Sequence, residues 1–548
     1  MPDLSKVHEA LLQQGFTQVV KAPARVIRYA GVLHCAGIDV PVHLDIQDKD
    51  FVTLPKITLI KIPSELPLAC SHIGDDNTLC YASAKVAHID FFRAPHQILD
   101  CLGKAEAVLS DLLTGNPLAD TRDEFSAYWH DERYILVDLP PARKSGTAWT
   151  IRFDNGREHW IIGADQPTVE AKYQHAGAVI EKKGASALIL DSQIPPIVLS
   201  GNWPPKTLGD VASWLNRSDK ETLKYLRLSL EKIHRLQLNR ILVVVRNQWA
   251  WYGFSVGFDR TKRSKHAGAK DWVQHVLFGA GSGTPIIRLA PLQIDQEYVI
   301  SRNLSASENS LRDKRIILAG CGAIGGYLAE LLVRAGAGHG HGRLVLVDPD
   351  VLMPGNLGRH ILGVKDLFRN KAEALRDWVC ASFPSATVVV EKTDARNVSF
   401  RGADLLIDAT GEEALSNAIN RRYLAGGLPP VIYSWIKGPG TATQALLVDS
   451  KAQGCYRCLR TAEGKERFSP LLEPVESAVM GHGCDDFFVP FSAAASMQAA
   501  ALAGNLVLDW VNGHASPRLR TRTISYDNCR EVKDKDLTRT AGCPACDG

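Results

Sequence analysis

The chain lacks any apolar run long enough to cross a membrane, and it shows no signal-peptide pattern, internal repeat or low-complexity tract. No transmembrane helix, secreted class or solenoid is therefore expected. It also lacks a strong charge of either sign: 63 Lys and Arg against 60 Asp and Glu leave a formal charge of +3 over 548 residues. The short basic run Arg260-Thr261-Lys262-Arg263-Ser264-Lys265-His266 reads as a solvated loop, too brief for a nucleic-acid footprint. No polybasic or lipidated anchor stands out. These absences predict a cytoplasmic protein that engages neither membrane nor nucleic acid directly. What is present is ordinary globular composition, 45% apolar, in a chain long enough for three domains, and 12 unevenly placed cysteines.

The most informative stretch follows the strand-like run Arg315-Ile316-Ile317-Leu318-Ala319. A glycine turn comes next, Gly320-Cys321-Gly322-Ala323-Ile324-Gly325-Gly326, then the helical spacing of Tyr327 to Ala335 and a second strand, Leu344 to Val347, ending on Asp348. Strand, turn, helix, strand and acid is the order of a nucleotide-binding βαβ unit. Gly320, Gly322 and Gly325 would let the backbone approach phosphate, the helix N-terminus would offer amide donors, and Asp348 would accept ribose hydroxyls. The turn alone fits a nicotinamide or flavin cofactor as well as ATP.

The downstream residues separate these choices. Asp348-Pro349-Asp350 leads to Asn356-Leu357-Gly358-Arg359-His360, then Arg369-Asn370-Lys371, then Asp408-Ala409-Thr410-Gly411. Hydride transfer has little use for cations and an acid crowded around phosphates, whereas attack on the α-phosphate of ATP needs them. Arg359 and Lys371 would offset triphosphate charge, and Asp408 would hold magnesium. With these motifs, residues 300 to 548 resemble the ubiquitin-activating superfamily, which includes the ThiF and MoeB sulfur-carrier adenylyltransferases. Related activating domains form homodimers in which an arginine reaches the partner's ATP, and the resemblance puts Arg302, just before the nucleotide strand, in that position.

Paired cysteines in a cytosolic chain suggest metal. Cys455-Tyr456-Arg457-Cys458 and Cys543-Pro544-Ala545-Cys546 are two CxxC knuckles that together would close a structural four-cysteine zinc site; the alternative is four thiols without metal. A closed site leaves no open coordination position, so this zinc would fasten the tail and take no part in catalysis. Between the knuckles, Gly481-His482-Gly483-Cys484-Asp485-Asp486 precedes the helix-like run Ser492 to Val511. A cysteine in a small-residue loop before a helix is placed for a lowered pKa, which the two aspartates oppose. In ubiquitin-activating enzymes a cysteine on a crossing segment takes the activated carboxylate as a thioester, and the resemblance makes Cys484 the candidate, against a cysteine with no thioester role. Cys321 and Cys380 read as structural; Cys529 has no assigned place.

The N-terminal third has another pattern. Residues 4 to 14 have helical periodicity, and Ala24 to Leu33 and Val40 to Ile46 are strand-like. Leu54-Pro55-Lys56-Ile57-Thr58-Leu59-Ile60 leads to Cys70-Ser71-His72-Ile73-Gly74-Asp75-Asp76-Asn77-Thr78-Leu79-Cys80-Tyr81. Ile98 to Leu113 follows as an amphipathic helix, and Glu124-Phe125-Ser126-Ala127-Tyr128-Trp129 closes the region. Helix, meander, cysteine loop and helix resemble a ubiquitin-conjugating enzyme in the reduced bacterial form. The His-Pro-Asn triplet is absent, and His72 stands alone nearer the cysteine. Cys80 would be the thioester-bearing nucleophile, a role that needs a leaving thiolate and no strong base beside it, while His72 would order the loop or polarise the thioester carbonyl. Cys70 and Cys101 are the weaker alternatives, and Cys35 reads as core.

Between the two ends, strand-like runs recur at Tyr134 to Leu139, Trp149 to Phe153, Trp160 to Ala164, Ala187 to Asp191 and Ile241 to Val245, with one long helix, Lys220 to Leu238. Most tryptophans fall here and read as core. The expected fold is multi-domain α/β: an α+β ubiquitin-conjugating-like domain at 1–130, an α+β linker domain at 131–300, and a Rossmann-like adenylation domain with structural zinc at 301–548. That order resembles the fusion proteins of bacterial CBASS antiphage operons. The resemblance implies an activated substrate, the C-terminal glycine of a cGAS-like nucleotidyltransferase. It would pass from the adenylate to Cys484, then to Cys80, then to an amine on a target protein. Holding both cysteines on one chain raises their effective concentration. The rival readings are a sulfur-carrier adenylyltransferase with a non-catalytic N-terminal docking module, an NAD- or flavin-dependent oxidoreductase, and a non-enzymatic conjugation scaffold.

Overall fold

The computed structural model describes residues 4–50, 53–66, 72–74, 76–82, 91–115, 125–126, 128–129, 133–174, 177–181, 184–198, 203–259, 268–305, 307–473 and 489–547. Cys70, the basic run from Arg260 to His266 and Cys484 lie outside the described residues. The chain packs as two compact units, Met1–Gln166 with Ile180–Leu292, and Pro167–Val179 with Gln293–Gly548.

In the first unit, the helix Leu4–Gln13 buries Val7 and Leu11, one turn apart on the same face. An antiparallel meander follows, β1 (Thr17–Gln18), β2 (Ile27–Cys35), β3 (Ile38–Ile46) and β4 (Lys56–Leu59), in sheet order β1-β2-β3-β4. In β3, Val40, Val42, Leu44 and Ile46 are buried at every second position, which fixes one face of the sheet to the core. Against it lies the helix Ala94–Thr114, burying Ile98, Cys101, Leu102, Ala105, Leu109 and Leu112 at helical spacing. Burying these side chains contributes about 1.5–3 kcal/mol for each Leu or Ile.

A mixed eight-stranded sheet belongs to the same unit but for the first residue of one strand and the last of another. Its strands are β5 (Tyr134–Val137), β6 (Ser145–Arg152), β7 (Glu158–Gly163), β8 (Val179–Ile180), β9 (Ala185–Asp191), β10 (Arg240–Arg246), β11 (Tyr252–Gly257) and β12 (Ile286–Gln293), ordered β7-β5-β12-β11-β10-β9-β6-β8. Beside it pack the helices Leu208–Ser218, Lys220–Arg235 and Ala269–Phe278. Phe125 and Trp129, which the pattern puts at the close of the first domain, belong to this core. Trp129 Nε1 donates to the Gly253 carbonyl at 2.8 Å, and both rings pack among Trp203, Trp214 and Tyr252. Their large apolar surface finds its partner on β11, far along the chain.

The second unit is built on β13 (Arg315–Ala319), β14 (Arg343–Val347), β15 (Val388–Glu391), β16 (Leu405–Asp408), β17 (Val431–Lys437), β18 (Ala442–Val448) and β19 (Leu519–Thr523). The order is β15-β14-β13-β16-β17-β18-β19, parallel through β17 and antiparallel beyond it. The central strands β13 and β16 are almost wholly apolar and buried, because both faces of the sheet are covered. The helices Ala323–Arg334 and Ala493–Val511 pack together on one face. The strand order reverses between β13 and β16, which opens a crevice at their carboxyl ends. No described helix is long and apolar enough to cross a membrane.

Candidate functional site

At that crevice lies a cleft of about 860 Å³. The glycine turn forms one wall for a steric reason. Gly320 has φ +87°, and a Cβ there would sit 2.8 Å from the Thr410 nitrogen, so the turn after β13 and the turn after β16 are in backbone contact. Cys321 N donates to Asp348 Oδ2 at 2.7 Å, and its carbonyl accepts from His360 Nε2 at 2.7 Å. His360 Nδ1 accepts from Leu362 N at 3.0 Å, so this ring is neutral with its proton on Nε2. Burial lowers its pKa.

Of the residues singled out by sequence, Gly320, Gly322, Asp348, Asn356, Arg359 and Lys371 line the cleft. Gly325 supports the turn from behind, its Cα facing the Gly320 carbonyl. Burial raises the Asp348 carboxyl above its ordinary range, opposed by the amides of Asp350 and Cys321 and by Lys371. Lys371 Nζ pairs with Asp350 Oδ2 at 2.9 Å, and Asn370, given no role by the sequence pattern, caps the helix Lys371–Ser382 and ties down the carbonyls of Asp348 and Asp350. The half-buried Arg359 guanidinium lies 4.6 Å over the Phe491 ring and donates to the Val489 carbonyl at 3.4 Å. Burial lowers its pKa.

Asp408 is placed differently from its neighbours. It is 1% exposed and does not line the cleft. Its Oδ1 accepts from Thr410 N and Oγ1 at 3.1 and 2.7 Å, and its Oδ2 from Ser416 Oγ at 2.6 Å. Burial pushes this carboxyl up, and the Ser416 and Thr410 hydrogen bonds pull it down. The carboxylate thus organises the turn Thr410-Gly411-Glu412, whose members do line the cleft. The spacing of Thr410 two residues after Asp408 is the local signal for such a turn; Ser416 gives none.

Arg302 ends the helix Gln296–Ser301, with its Nη1 donating to Tyr298 Oη at 3.2 Å; it does not line the cleft. Elsewhere in the unit, the Sγ atoms of Cys455, Cys458, Cys543 and Cys546 all lie within 4.8 Å of one another. Three of the pairs measure 3.3, 3.6 and 3.9 Å. A tetrahedron with Zn–S arms of about 2.3 Å has S–S edges of about 3.8 Å, so the cluster could hold zinc. Asn420 Nδ2 donates to Cys455 Sγ at 3.3 Å and Thr540 N to Cys458 Sγ at 3.4 Å, the outer hydrogen bonds that thiolate ligands attract. Cys321 and Cys380 make no part of this cluster; burial raises both thiols.

In the first unit, the cysteine loop hangs on β4 through Leu59 N to the Asn77 carbonyl (2.9 Å) and Leu79 N to the Ile57 carbonyl (2.8 Å). Cys80 N donates to the His72 carbonyl at 2.7 Å, and His72 Nδ1 donates to the Cys80 carbonyl at 3.1 Å. His72, at φ +65°, therefore brackets the cysteine from both sides. Cys80 is exposed, whereas Cys35 and Cys101 are buried, with Cys35 pushed up to about 11 by burial.

Two family models match in order along the chain: prokaryotic E2 family B over residues 11–135 and the ThiF family over residues 297–545. The full length also aligns with the ATP-dependent ubiquitin transferase-like protein Cap2 of Pseudomonas aeruginosa, 34% identical over 99% of this chain and 98% of that one. The chain belongs to the Cap2 family. The Escherichia coli Cap2 protein is 27% identical over 99% of both chains, and that of Vibrio cholerae is 29% identical over 77% and 76%. A Cap2-family chain of this composition is an ATP-dependent, ubiquitin transferase-like enzyme that joins a ThiF-type adenylation domain to an E2-like N-terminal domain.

Proposed function

We propose that this Cap2-family enzyme activates the C-terminal carboxylate of a partner protein, by resemblance the C-terminal glycine of a cGAS-like nucleotidyltransferase, and attaches it to target amines in antiphage defence. The carboxylate attacks the α-phosphate of ATP in the cleft, an O–P bond forms, and pyrophosphate leaves. A thiolate at Cys484 then attacks the acyl carbon and AMP leaves; transthiolation passes the acyl group to Cys80 and returns the proton to Cys484. An amine on the target attacks the Cys80 thioester, an amide forms, and the thiol leaves. The glycine turn and the helix start would cradle the phosphates, Asp348 would face the ribose, and Lys371 and Arg359 would offset phosphate charge. Magnesium supplies charge neutralisation on the phosphates when bound. The four-cysteine cluster would hold zinc as a structural fastening. Arg302 would act on a second copy of the chain in a homodimer, and three domains, 1–130, 131–300 and 301–548, would divide the work in the cytoplasm.

The observation that carries this reading is the pairing, on one chain, of a nucleotide-type cleft with an exposed Cys80 held in an E2-like loop. The test is intact-mass analysis under non-reducing conditions, with and without thiol, of protein from cells that also express its neighbouring genes. A thiol-labile adduct lost only in Cys80→Ala places the last thioester there and identifies its passenger. An adduct that persists in Cys80→Ala and vanishes in Cys484→Ala sets the relay order. No adduct in any sample, with ATP and partners supplied, favours a sulfur-carrier adenylyltransferase with an N-terminal docking module.

A further inference from the structure

We propose that Glu412, and not Asp408, is the protein carboxylate that holds the divalent cation of the bound nucleotide. The inference rests on the nucleotide reading of the cleft and names a residue for it.

A hard cation bound to phosphates takes one or two protein carboxylates that still have oxygen lone pairs to give. Four acids line the cleft among the described residues: Asp348, Asp350, Asp394 and Glu412. Asp348 already accepts two backbone amides, at 2.7 and 2.8 Å, one on each oxygen. Asp350 is paired with Lys371 at 2.9 Å. Asp394 is gripped by Arg396 through two side-chain hydrogen bonds, 3.0 and 2.7 Å, and also accepts the Arg396 amide. Glu412 is exposed to the cleft and makes no close ion pair or side-chain hydrogen bond among the described residues; it feels the charge of Arg396, whose guanidinium is held by Asp394. Asp408 is withdrawn: it is buried, does not line the cleft, and accepts from Thr410 and Ser416 instead.

Position agrees with availability. The backbone at Thr410 touches the glycine turn through Gly320, and β13 and β16 are neighbours paired at Ala319 and Asp408. Glu412 stands two residues beyond that contact and lines the same cleft as Gly320 and Gly322. Asp408 acts on this arrangement indirectly, as the positioning residue that fixes the turn presenting Glu412.

The test uses Mn²⁺ as the probe, on the full chain with a non-hydrolysable ATP analogue, read by electron paramagnetic resonance. Glu412→Gln is expected to weaken Mn²⁺ binding to the protein–nucleotide complex by at least about tenfold, the change that 1.4 kcal/mol makes, with metal-free nucleotide affinity within about twofold of wild type. Glu412→Asp should recover part of the loss, and Asp394→Asn, whose carboxylate is already engaged by Arg396, should change Mn²⁺ affinity little. Wild-type Mn²⁺ affinity in Glu412→Gln overturns the assignment, as does a larger loss in Asp394→Asn. A wild-type chain that binds no nucleotide overturns both this assignment and the proposed function. Glu412-dependent Mn²⁺ binding, without pyrophosphate release from ATP when C-terminal carboxylates are supplied, upholds the assignment and overturns the function alone.

Discussion

Replacing Gly325 by alanine tests the reason the phosphate-binding turn can exist. A Cβ at this position would lie 2.9 Å from the Gly320 carbonyl carbon and closer still to its oxygen. An ordinary carbon–carbon contact is about 3.5–4.0 Å, and the obstacle is backbone, so no rotamer change relieves it. Either the helix Ala323–Arg334 or the strand end at Gly320 must move, and both are packed in the central core. Overpacking of this kind costs about 1–3 kcal/mol or more. At about 2–4 °C per kcal/mol for a unit of this size, the unfolding midpoint of the second unit should fall by about 2–12 °C. Gly322→Ala is the control: nothing lies within 4 Å of its added Cβ, yet the residue lines the cleft. It should leave the midpoint within about 2 °C, an effect below 1 kcal/mol, and weaken nucleotide binding. Differential scanning calorimetry with nucleotide titration separates the two. Equal midpoints for Gly325→Ala and wild type would refute the steric argument.

Ser416→Ala removes the partner of Asp408 Oδ2 in a fully buried site and should destabilise the second unit by about 1–3 kcal/mol, measured as a urea midpoint shift. His360 has a folded pKa lowered from 6.5 by burial, so the unfolded chain takes up a proton that the folded site refuses. Its contribution to stability is whole above pH 6.5 and lost as pH falls below it; urea midpoints from pH 7.5 to 5.5 should decline, less steeply in His360→Gln, and a rise on acidification would contradict this. The cysteine cluster predicts one zinc per chain by elemental analysis, lost in Cys458→Ser. Timed alkylation with peptide mass mapping should modify Cys80 before Cys35 and Cys101, whose thiols are buried and shifted upward.

Much of this architecture is legible in the residues because it is local. The run Arg315 to Ala319 is β13, and Gly320, Gly322, Asp348, Asn356, Arg359 and Lys371 line the cleft at the carboxyl ends of the strands. The periodic runs of the N-terminal third are equally readable, from the helix Leu4–Gln13 to the helix Ala94–Thr114. What escapes is set by contacts between distant residues. That Asp408 sits buried behind the cleft wall depends on Ser416, on the following helix, which donates to one of its oxygens. Glu412 looks like any exposed acid beside a turn. The stacking of Arg359 on Phe491 joins residues 132 apart, and the membership of Trp129 in the second core depends on a carbonyl at Gly253. Periodicity records which face of an element is apolar, and is silent on which far segment will cover it.

The bracket around Cys80 limits how the loop can handle negative charge. Its amide is spent on the His72 carbonyl, at 2.7 Å. An acyl group carried on this sulfur would therefore find no oxyanion donor in the cysteine's own backbone when an amine attacks. The tetrahedral intermediate would have to draw its stabilisation from a side chain or from the incoming partner. The rate of discharge would then answer to whichever side chain or partner surface supplies that donor.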